Sequence, residues 1–139
     1  MSDGANYDFE LPDDLLKEIQ SAYDAHLLKI KHPYVFDLIK TLMNYPNGLK
    51  RKFVIDFMLK KRKDLGLPIP RSFENTVQAQ MNFYCKDSEV FKERRASEDE
   101  ALFCWPKGPG AGAWALIRPS AKRWVEQHRA MIPTRIVGA

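Results

Sequence analysis

The sequence is poor in the residues that build metal centres and disulfide frameworks. It has two cysteines and three histidines in 139 residues, and none of them stands at the spacing of a zinc site. Cys85 and Cys104 lie far apart and form no CxxC motif. We therefore expect free and mostly buried thiols, a cytoplasmic location and no bound metal.

Long apolar runs are also missing. No stretch approaches the roughly 20 residues that a helix needs to cross a bilayer, and the acidic N-terminus lacks the apolar core of a secretory signal. The hydrophobic content of 45% and the aromatic content of 12% are those of a folded protein. The sequence predicts one compact domain with an appendage, and no membrane partner.

Residue patterns that carry catalysis are equally scarce. No acid stands two residues before a lysine, as it often does in metal-dependent nucleases, and no nucleophile elbow is present. The glycines of 108–112 fall in a predicted hairpin tip, not between a strand and a helix, so they do not form a nucleotide-binding loop. The acidic run 98–100 is typical of a solvated loop. We expect no enzymatic activity, no cofactor and no small-molecule substrate.

Charge is plentiful but unevenly spread. Residues 1–30 carry seven acidic and two basic side chains, whereas the remainder carries eleven acidic and twenty basic ones. The segment 49–71 has eight basic side chains against two aspartates. These are Lys50, Arg51, Lys52, Lys60, Lys61, Arg62, Lys63 and Arg71. Such a segment indicates a polyanion partner, and a solvated, solubilising surface is the alternative.

Three helices are predicted before residue 65. After a flexible segment 1–12, an acidic helical segment 13–33 is expected, with Asp13 or Asp14 as the cap and a helix to about residue 30. A second helix is expected over 34–45 and a third, basic one over 49–64, ended by Gly66. The third helix is expected to place four apolar side chains in the core: Phe53, Val54, Phe57 and Met58.

The stretch 71–84 predicts the helix around which the chain is organised. Ser72 is expected to cap it. An apolar stripe recurs at helical spacing, namely Phe73, Val77, Met81 and Tyr84. The opposite face carries Arg71, Asn75, Gln78 and Asn82. Arg, Asn and Gln end in planar groups that match guanine and adenine edges in the major groove, although an amphipathic helix with a solvated amide face has the same pattern.

The periodicity changes after residue 100. Residues 101–105 and 113–117 predict two strands joined by a tip rich in glycine and proline, with Lys107 near the end of the hairpin. Trp105 and Trp114 stand at the base, where they either pack in the core or stack on bases. A last helix is expected over 120–131, within a C-terminal segment 119–139.

The order of these elements resembles a winged helix-turn-helix DNA-binding domain over residues 34–118. Residues 76–91 (TVQAQMNFYCKDSEVF), followed by 102–103 (LF) and 112–116 (GAWAL), are particularly similar to winged helices found with restriction and modification systems. Those usually follow a nuclease domain, whereas an acidic helical segment precedes the core here. The implied fold is mainly α with a small β-hairpin, extended by N- and C-terminal helices.

The resemblance implies a sequence-specific protein that binds double-stranded DNA, most simply a transcriptional regulator. Helix 72–84 would read the major groove, while the basic helix and the wing would contact phosphates. The expected DNA-binding residues are Lys50, Arg51, Lys60, Lys61, Arg62, Arg71, Ser72, Asn75, Gln78, Asn82 and Lys107. A winged-helix adaptor that binds proteins without reading DNA is the alternative.

A homodimer is also expected. A single winged helix reads few base pairs, and a twofold pair reads two half-sites about one helical turn apart. The two terminal helices are expected to supply the interface through apolar stripes that the core leaves uncovered, and folding back onto the core is the alternative. The stripe residues are Leu16, Ile19, Tyr23, Leu27, Trp124, Val125 and His128.

Overall fold

The computed structural model describes residues 10–132, and the segments 1–9 and 133–139 lie outside the described residues. The described part is mainly helical, with one small antiparallel sheet. Its elements are α1 (Asp13–Asp24), α2 (Tyr34–Leu42), β1 (Leu49–Lys50), α3 (Arg51–Leu65), α4 (Phe73–Phe83), α5 (Glu89–Glu93), a 3-10 turn (Glu98–Glu100), β2 (Phe103–Cys104), β3 (Ala113–Leu116) and α6 (Arg118–Arg129). The expected flexible segment 1–12 and the expected tail therefore fall largely outside this range.

Helix α2 is the centre of the core. All residues from 34 to 39 are buried, and so is Leu42. Helices α3 and α4 and strand β3 pack against it. A helix that is buried on nearly every side has a mostly apolar sequence. The position of α2 was therefore predictable from the sequence.

Helix α1 ends at Asp24 and not near residue 30. The cause is the backbone at His26, which takes a φ of 61°, a left-handed conformation that a continuing α-helix does not allow. The chain then turns back, with the amide of Leu27 donating to the carbonyl of Ala22. As a result Leu28 enters the core, whereas Leu27, expected on the apolar stripe, is exposed.

A three-stranded sheet with the order β1-β3-β2 replaces the expected two-stranded hairpin. Leu49 pairs with Trp114, and Phe103 pairs with Leu116. Gly48 makes the turn into β1 with a φ of 102°, and a Cβ atom there would lie 2.8 Å from Cγ of Pro106. Only glycine combines that φ with so close an approach to the hairpin base.

Helix α3 is rotated relative to the expected stripe. The prediction that Phe53 and Phe57 face the core is wrong, because their exposed fractions are 47% and 39%. The core side is formed by Val54 and Met58, as predicted, together with Ile55 and Arg62. The helix begins two residues later than expected because 49–50 form a strand, and it ends at the predicted Gly66, which has a φ of 71°.

Helix α4 follows the prediction closely. Phe73, Val77 and Met81 are buried and Tyr84 is half-buried. Ser72 directly precedes the helix, but its side chain caps no backbone amide. The short helix α5 that follows was not expected; its cap is Ser88, whose hydroxyl oxygen accepts from the amide of Phe91.

The apolar stripes of α1 and α6 are covered by the chain's own core. Leu16, Ile19, Trp124 and Val125 are all buried, so these four leave little apolar surface for a second copy, whereas Tyr23 and His128 are half-buried and Leu27 is exposed. The two thiols are free, and Cys85 is fully buried while Cys104 is half-buried. Burial raises the pKa of the Cys85 thiol to about 11, which keeps it protonated at neutral pH.

Candidate nucleic-acid interface

The polar face of α4 lies opposite its buried stripe. Arg71 and Asn75 are exposed, and Gln78 and Asn82 are half-buried. Within residues 10–132 the side chains of Arg71 and Asn75 form no hydrogen bond or ion pair with other residues. Their planar groups are therefore available to a ligand. Ser72 is also exposed, but its side chain does not cap the helix.

Arg51 ties this face to the start of α3. Its Nη2 donates to Oε2 of Glu74 at 3.0 Å, and its Nε donates to Oε1 of Gln78. The carbonyl oxygen of Gln78 is thus engaged inside the protein, while its amide group can still donate. Glu74, which the sequence analysis did not consider, adds an exposed carboxylate beside the expected reading residues; an acid at this position can accept from a cytosine amino group.

Two of the predicted lysines of α3 are partly neutralised. Lys60 lies 3.3 Å from Asp64 one helical turn away, and both side chains are exposed. Lys61 lies 3.3 Å from Asp13 at the start of α1, which is also 3.6 Å from Lys40. Exposed ion pairs of this kind are weak, so both lysines remain able to exchange their partner for another anion.

The assignment of Arg62 to the DNA surface is wrong. Its side chain is 1% exposed, and the guanidinium donates to Asp37 Oδ2 at 2.7 Å and to Gln20 Oε1 at 2.6 Å. A third bond goes to the carbonyl of Pro68 at 2.9 Å. Position 62 lies one helical turn after Met58 on the core side of α3, where its side chain meets the carboxylate of Asp37 on α2. Burial raises the pKa of Asp37, and the charge of Arg62 opposes that effect.

The hairpin tip presents Lys107 to solvent. Gly108, Gly110 and Gly112 all have positive φ values, which lets the tip reverse direction within a few residues. Below it, Trp105 and Trp114 meet edge to face with ring centroids 5.8 Å apart. Trp114 is buried, so it serves the core and not base stacking.

Three exposed aromatic rings lie beside the basic helix. Tyr45 and Phe57 are stacked with centroids 5.7 Å apart, and Phe53 follows at 6.5 Å from Phe57. We call Tyr45, Phe53 and Phe57 the aromatic surface. Hydrophobicity predicted both phenylalanines in the core, although the runs of basic residues at 50–52 and 60–63 on either side of them were a signal that the helix has little buried face.

In the described part of the chain, the candidate interface consists of individual polar side chains and contains no clustered metal site. No group of three or more His, Cys, Asp or Glu residues suited to a metal ion occurs within 10–132, and no helix in that range is long and apolar enough to cross a membrane. Comparison of the chain with protein-family models, with curated proteins and with solved structures found no match.

Proposed function

We propose that residues 34–118 form a winged helix-turn-helix domain and that the protein binds double-stranded DNA in a sequence-specific way, most simply as a transcriptional regulator. The order helix, strand, helix, helix and then, after the short α5 and a 3-10 turn, strand, strand supports this arrangement. So does the sheet order β1-β3-β2, in which the strand before α3 joins the hairpin. In this reading α4 is the third core helix and enters the major groove.

The observation that carries the proposal is the exposed polar face of α4. Asn75 is exposed on a helix whose other side is fixed in the core by Phe73, Val77 and Met81, and Arg71 is exposed in the turn that leads into it. A reading helix needs this combination, because base-edge contacts require planar donors held in a rigid frame.

Phosphate contacts come from basic residues outside the reading face, of which Arg51 contacts α4 through Glu74 and Gln78. The candidates are Lys50 on β1, Arg51, Lys60 and Lys61 on α3, and Lys107 at the hairpin tip. Neutralising phosphates with these groups releases condensed counterions, which makes affinity fall with salt. Asn82 and Gln78 complete the reading face, with Gln78 donating through its amide group.

Selection of binding sites from a random pool of duplex DNA tests the proposal. We expect enrichment of one sequence, and a linear fall of log affinity with the logarithm of the salt concentration. Asn75→Ala, which leaves the charge of the protein unchanged, should reduce the enrichment and keep the salt dependence. A pool that shows no enrichment, together with salt-independent binding, would contradict DNA reading.

The aromatic surface favours a second function, that of an adaptor that binds a protein. Tyr45, Phe53 and Phe57 offer stacked rings at the surface, and aromatic residues dominate the energetic centres of protein interfaces. Under the DNA-binding proposal, the partner that we propose for this surface is a second copy of this chain, since a dimer would place two reading helices on one duplex. A different protein partner in the absence of any DNA binding would favour the adaptor.

A further inference from the structure

A cleft of about 560 Å³ lies where four parts of the chain meet. One wall is the loop between α1 and α2, and the others are the last turn of α4, the start of α5 and the outer side of α6. Its lining includes Lys29, Lys31, His32, Asn82, Phe83, Val90, Trp124 and His128. The volume falls in the range of roughly 300–1,000 Å³ that small-molecule sites occupy.

Aromatic rings form the floor of this cleft. Trp124 and His128 are stacked with centroids 3.9 Å apart, and Tyr84 meets Trp124 edge to face at 6.3 Å. At the rim, Phe83 and Val90 keep exposed fractions of 38% and 44%. One side of the Phe83 ring is covered by the guanidinium of Arg94 at 3.7 Å from its centroid. A flat apolar ligand would remove the remaining ring surface from water.

The charge at the mouth of the cleft is positive. Lys29 and Lys31 are exposed, and within the described chain neither forms an ion pair. The lining contains no acidic side chain. Burial and the neighbouring Lys31 lower the pKa of His32 below its ordinary value. A ligand that combines a flat apolar body with one negative end therefore matches both the floor and the mouth.

We propose that this cleft is a binding site for a planar aromatic anion, of the class of aromatic carboxylates. The ring system lies against Trp124, His128 and the exposed side of Phe83. The carboxylate lies at the loop between α1 and α2, where the two lysine ammonium groups attract it. This assignment stands independently of DNA binding, since it uses residues of the cleft alone.

A second step rests on the proposed function. Asn82 lines the cleft and also belongs to the polar face of α4. A ligand in the cleft contacts the last turn of the helix that reads DNA, and so changes the affinity of the protein for its selected site. The two binding events are then linked, and DNA must change the affinity for the ligand by the same factor.

Calorimetric titration of the intact protein with 1-naphthoate tests the site. We expect saturable binding at a one-to-one ratio, and none with 1-naphthylmethylammonium, which has the same rings and the opposite charge. Replacing both lysines (Lys29→Gln with Lys31→Gln) should weaken naphthoate binding about fivefold, as the loss of two exposed charge contacts predicts. Lys63→Gln, an exposed lysine of α3 outside the cleft, is the control and should change nothing.

Val90→Glu blocks the site by a different route. The position is exposed, so the fold is kept, and thermal unfolding measured by circular dichroism verifies this. The added carboxylate repels the ligand and replaces an apolar contact at the rim, so it should weaken naphthoate binding. In nuclear magnetic resonance spectra, naphthoate should shift the indole signal of Trp124 and leave those of Trp105 and Trp114 in place.

Equal binding of both naphthalene compounds, unchanged binding in Val90→Glu, or no saturation at millimolar naphthoate would each overturn the proposed site. The link to DNA is measured separately, by fluorescence anisotropy of the selected duplex with and without naphthoate. Naphthoate bound in the cleft with no effect on DNA affinity would overturn the link and leave the site intact. A protein that binds naphthoate but no DNA would instead contradict the proposed function.

Discussion

The guanidinium of Arg62 lies 2.7 Å from the carboxylate of Asp37, and both side chains are buried between α3 and α2. The same guanidinium lies 5.0 Å from the centre of the Tyr34 ring. Arg62 therefore joins the basic helix to the central helix of the core. An isolated charge would be costly at either position, so each residue requires the other.

Arg62→Leu is expected to destabilise the protein by about 3–5 kcal/mol, because it leaves the Asp37 carboxylate buried and unpaired. Urea unfolding measures the change. Lys63→Leu, one residue further on and exposed, should alter the free energy of unfolding by only about 0.5 kcal/mol. A stable Arg62→Leu protein that has lost affinity for DNA would return Arg62 to the phosphate contacts.

Lys50→Gln combined with Lys107→Gln should weaken binding to all DNA sequences alike. The slope of log affinity against log salt should become shallower by about one unit per lost phosphate contact. Anisotropy titrations at several salt concentrations provide the slope, with Lys17→Gln on α1 as a control that removes one charge outside the proposed phosphate contacts. An unchanged slope in the double variant would move the phosphate contacts to other residues.

Asn75→Ala and Arg71→Ala should each relax the sequence preference, since base contacts specify while phosphate contacts position. A good bidentate contact provides about 1–3 kcal/mol of discrimination, so preference for the selected site should fall at least about fivefold. Asn75→Ala should leave nonspecific binding intact. If both variants kept the full preference, α4 would not be the reading helix.

Phe53→Ser together with Phe57→Ser is expected to convert a dimer into a monomer, because the two exposed rings are the apolar centre of the aromatic surface. Light scattering at micromolar concentration gives the mass. Stability should change little, since neither ring belongs to the core. A monomeric parent protein, with and without DNA, would remove the homodimer, and a dimer that persists in the variant would place its interface elsewhere.

Gly48→Ala should destabilise the attachment of β1 to the hairpin. The new methyl group would meet Cγ of Pro106 at 2.8 Å, and alanine is strained at a φ of 102°. We expect a loss of about 1–3 kcal/mol in the free energy of unfolding, read from urea titration. Gly110→Ala is the matched control, since its φ is also positive but no atom lies within 4 Å of an added Cβ. Equal losses in the two variants would assign the effect to backbone strain alone.

Helix α4 was predictable from the sequence because its period is undisturbed. Its apolar positions 73, 77 and 81 recur every four residues, and all three are buried. A buried stripe of this kind also fixes the outward face, so the exposure of Arg71 and Asn75 follows from the same pattern. The expected helix was within one residue of the observed one at its C-terminal end.

Helix α3 shows why the remainder was not predictable. Hydrophobicity alone places Phe53 and Phe57 inside, and positive charge alone places Arg62 outside, yet the structure reverses both. The partner of Arg62 is Asp37, 25 residues away, and no local pattern reveals such a pair. Strand β1 has only two residues, and the sequence predicted them as the start of a helix. Its pairing with β3 is a long-range contact that no local pattern indicates.

The ion pairs of Asp13 have a consequence for any polyanion that approaches this side of the protein. One carboxylate at the start of α1 lies within 4 Å of both Lys40 and Lys61. The chain thereby supplies its own tethered counterion to these two lysines. A phosphate that contacts Lys61 must first displace this carboxylate, so the contact contributes less to affinity than a contact with an unpaired lysine. The first helix thus sets an electrostatic boundary, and the net attraction for a phosphate backbone is concentrated toward Lys50 and the hairpin tip.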